Sequence, residues 1–150
     1  AAGVDLVHVP YKGAAPAAVD LVAGHVELMF DNLASALPNI RAERVRALAL
    51  TTRTRTPFLP QLPTLDESGL KGFDVGTWFG VLAPAATPPE LVAALNAGLN
   101  AALAAPLLQE RLSALGAVPA GGTPDAFAAL IRSELAKYAR IVRASGASAD

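Results

Sequence analysis

The first fifty residues alternate between short β-branched stretches and helix-forming segments, and this order restricts the fold more than any other feature. The predicted strands are residues 5–9, 26–30 and 46–51, and the predicted helices between them are residues 16–23 and 33–42. Strands that alternate with helices pair in parallel and are joined by right-handed crossovers. We therefore expect an α/β fold in which the three strands are parallel neighbours and the helices cover the faces of their sheet.

The rest of the chain is predicted to be mostly helical. A fourth strand is expected over residues 75–82, and apolar residues with a 3.6-residue period then predict helices at 89–104, 106–115 and 124–144. The chain thus divides at about residue 77 into a strand–helix part and a helical part. Because each later helix has an apolar stripe, we expect the helical part to need an apolar partner surface.

Threonines mark two of these predicted helix starts, and a third marks a short helix expected from Thr64 to Gly69. Thr64 with Glu67, and Thr87 with Glu90, match the capping box, in which the cap and the third helical residue bond each other's backbone N–H groups. Thr123 precedes a proline and an aspartate, which is also typical of a helix start.

Composition excludes several classes of protein. Lys and Arg number 12 and Asp and Glu 13, for a net charge of −1, and no basic run occurs, which argues against a nucleic-acid partner. Cysteine is absent, which excludes disulfides, cysteine–zinc sites and thiol catalysis. No stretch of about 18 apolar residues predicts a membrane-spanning helix.

Loops that follow the predicted strands are the expected place for a ligand, because open parallel sheets bind ligands at the carboxyl ends of their strands. They are residues 11–16, 31–35 and 51–55. In the first loop, the small residues Gly13–Ala15 precede a helix, so backbone N–H groups could approach an anion at the positive end of the helix dipole. An ordinary turn between strand and helix explains the same residues, and both interpretations stay open.

The side chains of these loops also allow two interpretations each. Lys12 could pair with a carboxylate or be solvated, and Asp31 and Asn32 could contact a ligand or cap the following helix. Arg53 and Arg55 could form a fork for a carboxylate, or belong to a solvated loop or a fold-stabilising ion pair.

Two aromatic residues, Trp78 and Phe79, could stack on a ligand or lie in the core, and we expect at least one of them in the core.

Enzyme motifs are missing. His8 and His25 have no His-x-x-x-His or His-x-His spacing, so no metal site is expected. The sequence lacks the serine nucleophile motif Gly-x-Ser-x-Gly and the glycine patterns that bind nucleotides, so no cofactor is expected. A triad of Ser35, His8 and Asp31 has no support from the spacing. We expect a protein that is not an enzyme, with a small hydrolase as a remote alternative.

Several segments resemble, in chain order, the motifs of one receptor family. They are His8–Ala17, Met29–Leu33, Val45–Ala49, Pro60–Thr64, Trp78–Gly80, Ala83–Pro84, Thr87–Pro88 and Gly121–Pro124. By these segments the chain resembles the Bug-type, or TctC-like, receptors, which are periplasmic solute-binding proteins of tripartite tricarboxylate transporters.

The resemblance implies a periplasmic-binding-protein-like fold of type II, with two α/β domains that close over a small carboxylate. The chain would be the carboxyl-terminal half of such a receptor, in keeping with its start at Ala1 without an initiator methionine. Residues 1–77 would form most of domain 2, without its first strand and helix. Residues 78–150 would form a crossover strand and helices that return to domain 1.

The resemblance also implies the site and the function. The expected ligand-binding residues are Lys12, Gly13, Ala14, Ala15, Pro16, Asp31, Asn32 and Ser35. They would capture a di- or tricarboxylate, an amino acid or an aromatic acid in the periplasm and deliver it to membrane transporter subunits. A ligand-sensing partner in signalling is the alternative. The apolar stripes of the last three helices lead us to expect either self-association through them or an amino-terminal half that is present as a separate chain.

Overall fold

The computed structural model describes residues 3–146, which contain five α-helices. They are α1 (Ala14–Ala23), α2 (Leu33–Arg41), α3 (Pro89–Ala104), α4 (Pro106–Ala114) and α5 (Pro124–Ser145). Five of the predicted helices are confirmed, each with bounds that differ from the prediction by two residues or fewer. The short helix expected from Thr64 to Gly69 is wrong, because residues 65–69 form turns.

Helix ends follow the local sequence, with one exception. Gly24 ends α1 in the left-handed conformation, with φ of 77°, and the Thr123 hydroxyl accepts a hydrogen bond from the Ala126 N–H over 3.2 Å. The capping box expected from Thr87 to Glu90 is wrong, since Pro88 occupies the N-cap position and makes no side-chain cap. A residue before proline is disfavoured in the helical region, so Pro88 stays extended and α3 begins one residue later.

The predicted sheet is not confirmed, because residues 3–146 contain no strand. Residues 5–9, 26–30 and 75–82 are irregular, and residues 46–51 contribute one isolated parallel bridge, between Leu50 and Thr64. The bridge consists of Leu50 N–H to Pro63 O and Leu65 N–H to Leu50 O, both 2.8 Å. A strand needs a neighbour for its backbone groups, which alternation within one segment cannot supply. Val7, for example, is 90% exposed.

The chain forms two units. The first unit comprises Ala1–Gly80 and Glu110–Val118, and the second comprises Val81–Gln109 and Pro119–Asp150. The expected boundary near residue 77 lies close to the end of the first long segment, but residues 110–118 were not expected to belong with it. The assignment of the two parts to two domains of a receptor stays a prediction.

The first unit has a small buried core around α2. Ala17 on α1, Leu37 on α2 and Thr64 are buried, and Leu37 and Thr64 are almost completely so. Gly116 packs against α2, because a Cβ atom added there would lie 3.1 Å from Leu33 Cγ and 3.3 Å from Leu37 Cδ2. Gly116 also has φ of 71°, so this position favours glycine for conformation and for space.

The second unit is more open. None of its described residues is buried, and apolar side chains along its helices are exposed. Two asparagines of α3 hold the loop before α5: Asn96 Nδ2 and Asn100 Nδ2 each donate to Gly122 O over 3.0 Å, and Gly122 N–H donates to Asn100 Oδ1 over 2.9 Å.

Among the described helices, no single one is long and apolar enough to cross a bilayer, and α3 with α4 reaches that length and composition only as a bent pair.

Candidate functional site

The first candidate loop leads into α1 without a side-chain cap. Gly13 is the N-cap residue, with φ of 111° and ψ of 172°, a conformation that residues with a Cβ rarely adopt. The helix begins two residues before its predicted start, so Pro16, expected at the first helical position, lies at the third. Proline has no N–H, and the free donors at this end are therefore the N–H groups of Ala14 and Ala15.

These donors are accessible. Ala14 and Ala15 are exposed, and no hydrogen bond to their N–H groups occurs within residues 3–146. Lys12, just before them, is also exposed, and its ammonium forms no ion pair in the described part of the chain, as in the solvated interpretation. The loop thus offers two backbone donors and one cation to an anion.

The second candidate loop is organised around Asp31. Its Oδ1 atom accepts hydrogen bonds from Asn32 N–H over 2.8 Å and from the Ser35 hydroxyl over 2.6 Å. Asn32 is the N-cap residue of α2 but makes no side-chain cap. Its Oδ1 atom instead accepts a bond of 2.5 Å from the Thr77 hydroxyl, 45 residues further along the chain. The capping interpretation of these two side chains therefore fails.

The eight predicted site residues thus form two groups. Asp31, Asn32 and Ser35 are joined by hydrogen bonds, whereas Lys12–Pro16 is a continuous segment that includes the first turn of α1, and among the described residues no hydrogen bond links the two groups. Ala15 lines an open depression of about 380 Å³, together with Ala18, Val19, Val22, Asn39 and Arg44. The Asp31 group does not line it.

The third loop has a structural role. Arg55 Nε lies 2.9 Å from Glu67 Oε2, and its Nη1 donates to Pro60 O over 3.0 Å. Glu67 and Thr64 form the predicted capping box, with Thr64 N–H to Glu67 Oε2 of 2.8 Å and Glu67 N–H to Thr64 Oγ1 of 3.1 Å. The Thr64 N–H bond, and secondly Arg55, hold the pKa of Glu67 below its ordinary value. Arg55 therefore belongs to a fold-stabilising pair.

The expectation that Trp78 or Phe79 lies in the core is wrong. Trp78 is 41% exposed and Phe79 84% exposed. Both residues belong to the segment predicted as the fourth strand, which is irregular in the structure.

A cluster of hydrogen-bonded side chains beside the first loop was not predicted from the sequence. The Tyr11 hydroxyl donates to Asp20 Oδ2 over 2.7 Å, and His25 Nδ1 lies 3.3 Å from Asp20 Oδ1. The bond to Asp20 raises the pKa of Tyr11, and the bonds from Tyr11 and then His25 lower the pKa of Asp20. The only available signal was the polar Asp20 within an otherwise apolar helix.

Residues 3–146 contain no group of three or more His, Asp or Glu side chains placed to hold an ion.

Sequence comparison places these features in a known family. The profile described as "Tripartite tricarboxylate transporter family receptor" matches residues 1–147. A UPF0065 protein of Pseudomonas sp. (strain P51), from the tcbD-tcbE intergenic region, is 49% identical over 142 residues. The alignment covers 94% of this chain and 42% of that protein.

Solved structures of similar fold support the same family. The periplasmic binding protein BugD is 41% identical with a TM-score of 0.80, over 96% of this chain and 49% of BugD. MatC from Rhodopseudomonas palustris, solved with bound malate, is 37% identical with a TM-score of 0.79, over 93% of this chain and 48% of MatC. The chain thus spans less than half the length of each of these three relatives. It belongs to the tripartite tricarboxylate transporter receptor family and has the fold of part of a periplasmic binding protein.

Proposed function

We propose that the chain is the carboxyl-terminal half of a solute-binding receptor that captures a small carboxylate in the periplasm for a tripartite tricarboxylate-type transporter. The observation that carries the proposal is the uncapped start of α1, where the N–H groups of Ala14 and Ala15 are exposed and without partners in the described residues. The family match supports a receptor, and the malate held by MatC supports a carboxylate. In this proposal residues 1–77 belong to domain 2 and residues 78–150 return to domain 1.

A carboxylate suits the first loop for three reasons. The two N–H groups donate in nearly the same direction along the helix axis, and the helix dipole favours negative charge there. Gly13 has no side chain to obstruct the approach, and an added Cβ would meet nothing within 4 Å. Lys12 contributes a positive charge next to these donors.

The second loop suits a different part of the ligand. Asp31 is an acceptor when ionised, and its Oδ1 already receives two hydrogen bonds. Its Oδ2 has no hydrogen-bond partner in the described part of the chain, so it can accept from a hydroxyl or an ammonium group of the ligand. A carboxylate that also has a donor, such as a hydroxy acid or an amino acid, therefore fits the two loops better than a simple aliphatic acid.

The role is binding without chemistry. Domain closure over the ligand would expel water and present the loaded receptor to the membrane subunits of the transporter.

The test is calorimetry on the whole receptor that carries this half. Malate, citrate, an amino acid and an aromatic acid are titrated into the wild type and into Gly13→Val, which places a branched side chain at the loop. Roughly a tenfold loss of affinity is expected for Gly13→Val, about the effect of one charge-assisted hydrogen bond.

Gly3→Val is the matched control, because Gly3 also has a positive φ, 67°, and open space around it. Its affinity is expected to match the wild type. Failure of the wild type to bind any of the four acids, or unchanged affinity in a folded Gly13→Val receptor, would contradict the proposal.

A further inference from the structure

We infer that Tyr11 and Asp20 are positioning residues for the proposed carboxylate loop, and that their hydrogen bond fixes the path by which Lys12 and Gly13 enter α1. The inference rests on the proposed function and adds to it two residues that are not expected to touch the ligand.

The contact spans the loop. Tyr11 lies just before Lys12 and Gly13, and Asp20 lies in the second half of α1, nine residues further along. The 2.7 Å bond between the Tyr11 hydroxyl and Asp20 Oδ2 therefore closes a ring of chain that contains the whole of Lys12–Pro16. The exposed N–H groups of Ala14 and Ala15 belong to this ring.

Asp20 is itself anchored at the other end of the helix. Its backbone oxygen accepts from His25 N–H over 2.9 Å, and its Oδ1 atom lies 3.3 Å from His25 Nδ1. One residue thus ties the loop before α1 to the turn after it, and the 10-residue helix serves as a rigid spacer between the two.

Nothing else described replaces this contact. Gly13 has no side chain that could cap the helix. Among residues 3–146, no hydrogen bond outside α1 is made by Lys12 or Gly13 themselves. Tyr11 is partly buried, in contrast to the exposed residues on either side of it. Loss of the bond would leave the entry to α1 free to move over the two donors, so part of the binding free energy would be spent on ordering it.

Charge and position predict opposite effects at residue 20, which makes the inference testable. If Asp20 acted only through its negative charge, its removal would strengthen the binding of an anion. If Asp20 acts by holding Tyr11, its removal weakens binding, and an asparagine, which keeps an acceptor oxygen, weakens it less than an alanine.

The experiment measures carboxylate affinity in the whole receptor for Tyr11→Phe, Asp20→Asn, Asp20→Ala and the Tyr11→Phe/Asp20→Ala double variant. Roughly a three- to tenfold loss is expected for Tyr11→Phe and for Asp20→Ala, about the effect of one hydrogen bond. Asp20→Asn is expected between these and the wild type. The double variant is expected to match the single ones, because both remove the same contact.

Two measurements keep the interpretation specific. Asp5→Asn, which removes an exposed carboxylate of the first unit, is the charge control and is expected to keep the wild-type affinity or raise it slightly. Ultraviolet titration of the 150-residue chain, which has two tyrosines, reports the contact itself. Since the bond to Asp20 raises the pKa of Tyr11, one tyrosine is expected to ionise at lower pH in Asp20→Ala than in the wild type.

The outcomes separate the two proposals. A wild-type receptor that binds no carboxylate overturns the proposed function and with it this inference. A wild type that binds, with Tyr11→Phe and Asp20→Ala folded and equally tight or tighter, overturns the inference alone.

Discussion

The two units of the chain are stabilised in different ways. The first unit buries Ala17, Leu37 and Thr64, although much of it is irregular. The second contains the long helices α3 and α5, yet none of its described residues is buried. The positions of helix ends thus follow local signals such as Gly24 and Thr123, whereas burial depends on what lies opposite an apolar face.

Self-association of the chain is expected to have the largest effect, because it would bury the exposed helices of the second unit. Leu91, Leu95 and Leu99 lie along α3 with 41–49% of each side chain exposed. Covering a leucine fully is worth about 1.5–3 kcal/mol, so the stripe favours contact with another apolar surface. We propose that the 150-residue chain self-associates through these helices. Sedimentation at several concentrations is expected to show a rising mass, which Leu95→Lys reduces; a monomer at every concentration would refute the proposal.

Shortening one leucine in each unit is expected to show the next largest effect. Leu37→Ala removes a side chain that is 1% exposed and should lower the free energy of unfolding by about 2–5 kcal/mol. Leu95→Ala, at a side chain 49% exposed, should cost less than half as much. Urea unfolding of both variants measures the difference, and equal losses would show that the second unit is covered in solution.

Substituting alanine for two glycines should change the free energy of unfolding in opposite directions. Gly116→Ala must place a Cβ at φ of 71° and close to Leu33 and Leu37, so we expect a loss of about 1–2 kcal/mol or more. Gly98→Ala, within α3 and with nothing within 4 Å, should gain about 0.5–1 kcal/mol from helix propensity. Thermal unfolding distinguishes the two, and a destabilised Gly98→Ala would mean that this face of α3 is in contact with something.

Lowering the pH is expected to have the smallest effect, a loss of stability in the first unit. Hydrogen bonds from Thr64 N–H and then Arg55 lower the pKa of Glu67, and those from Gly72 N–H and then Lys71 lower the pKa of Asp66. A carboxyl whose pKa is lowered by folding stabilises the folded state above its ordinary pKa. The stabilisation is therefore lost as the pH falls through and below about 4.5 for Glu67 and 3.8 for Asp66.

Fluorescence of Trp78, the single tryptophan, follows this acid loss in the first unit. Glu67→Gln is expected to flatten the profile near pH 4.5, and an unchanged profile would show that the capping pair does not contribute.

Local sequence was sufficient to predict the helices but not the sheet. Gly24 and Thr123 determine helix ends through contacts within a few residues, so their roles could be read directly. The strands could not be verified in the same way, because their partners are distant in sequence: Leu50 pairs with Thr64, not with either of the two earlier segments.

The same distinction applies to the candidate site: its local pattern could be predicted, but its contacts between separated residues could not. The small residues before α1 were recognisable, since a loop of Gly and Ala before a helix is a local pattern. The bonds from Thr77 to Asn32 and from Tyr11 to Asp20 were not, because they join residues 45 and nine positions apart and have no spacing rule.

The return of Glu110–Val118 to the first unit also determines where the chain can be divided. A shortened chain that ends at Gly80 would keep α1 and α2 but lose Gly116, the residue that lies against Leu33 and Leu37. Leu37, the most deeply buried apolar side chain described, would then be open to water on that side. The first unit is thus continuous in space and discontinuous in sequence, and a protease cut in the loop after Gly80 would leave both pieces joined through their packing, although the peptide bond is broken.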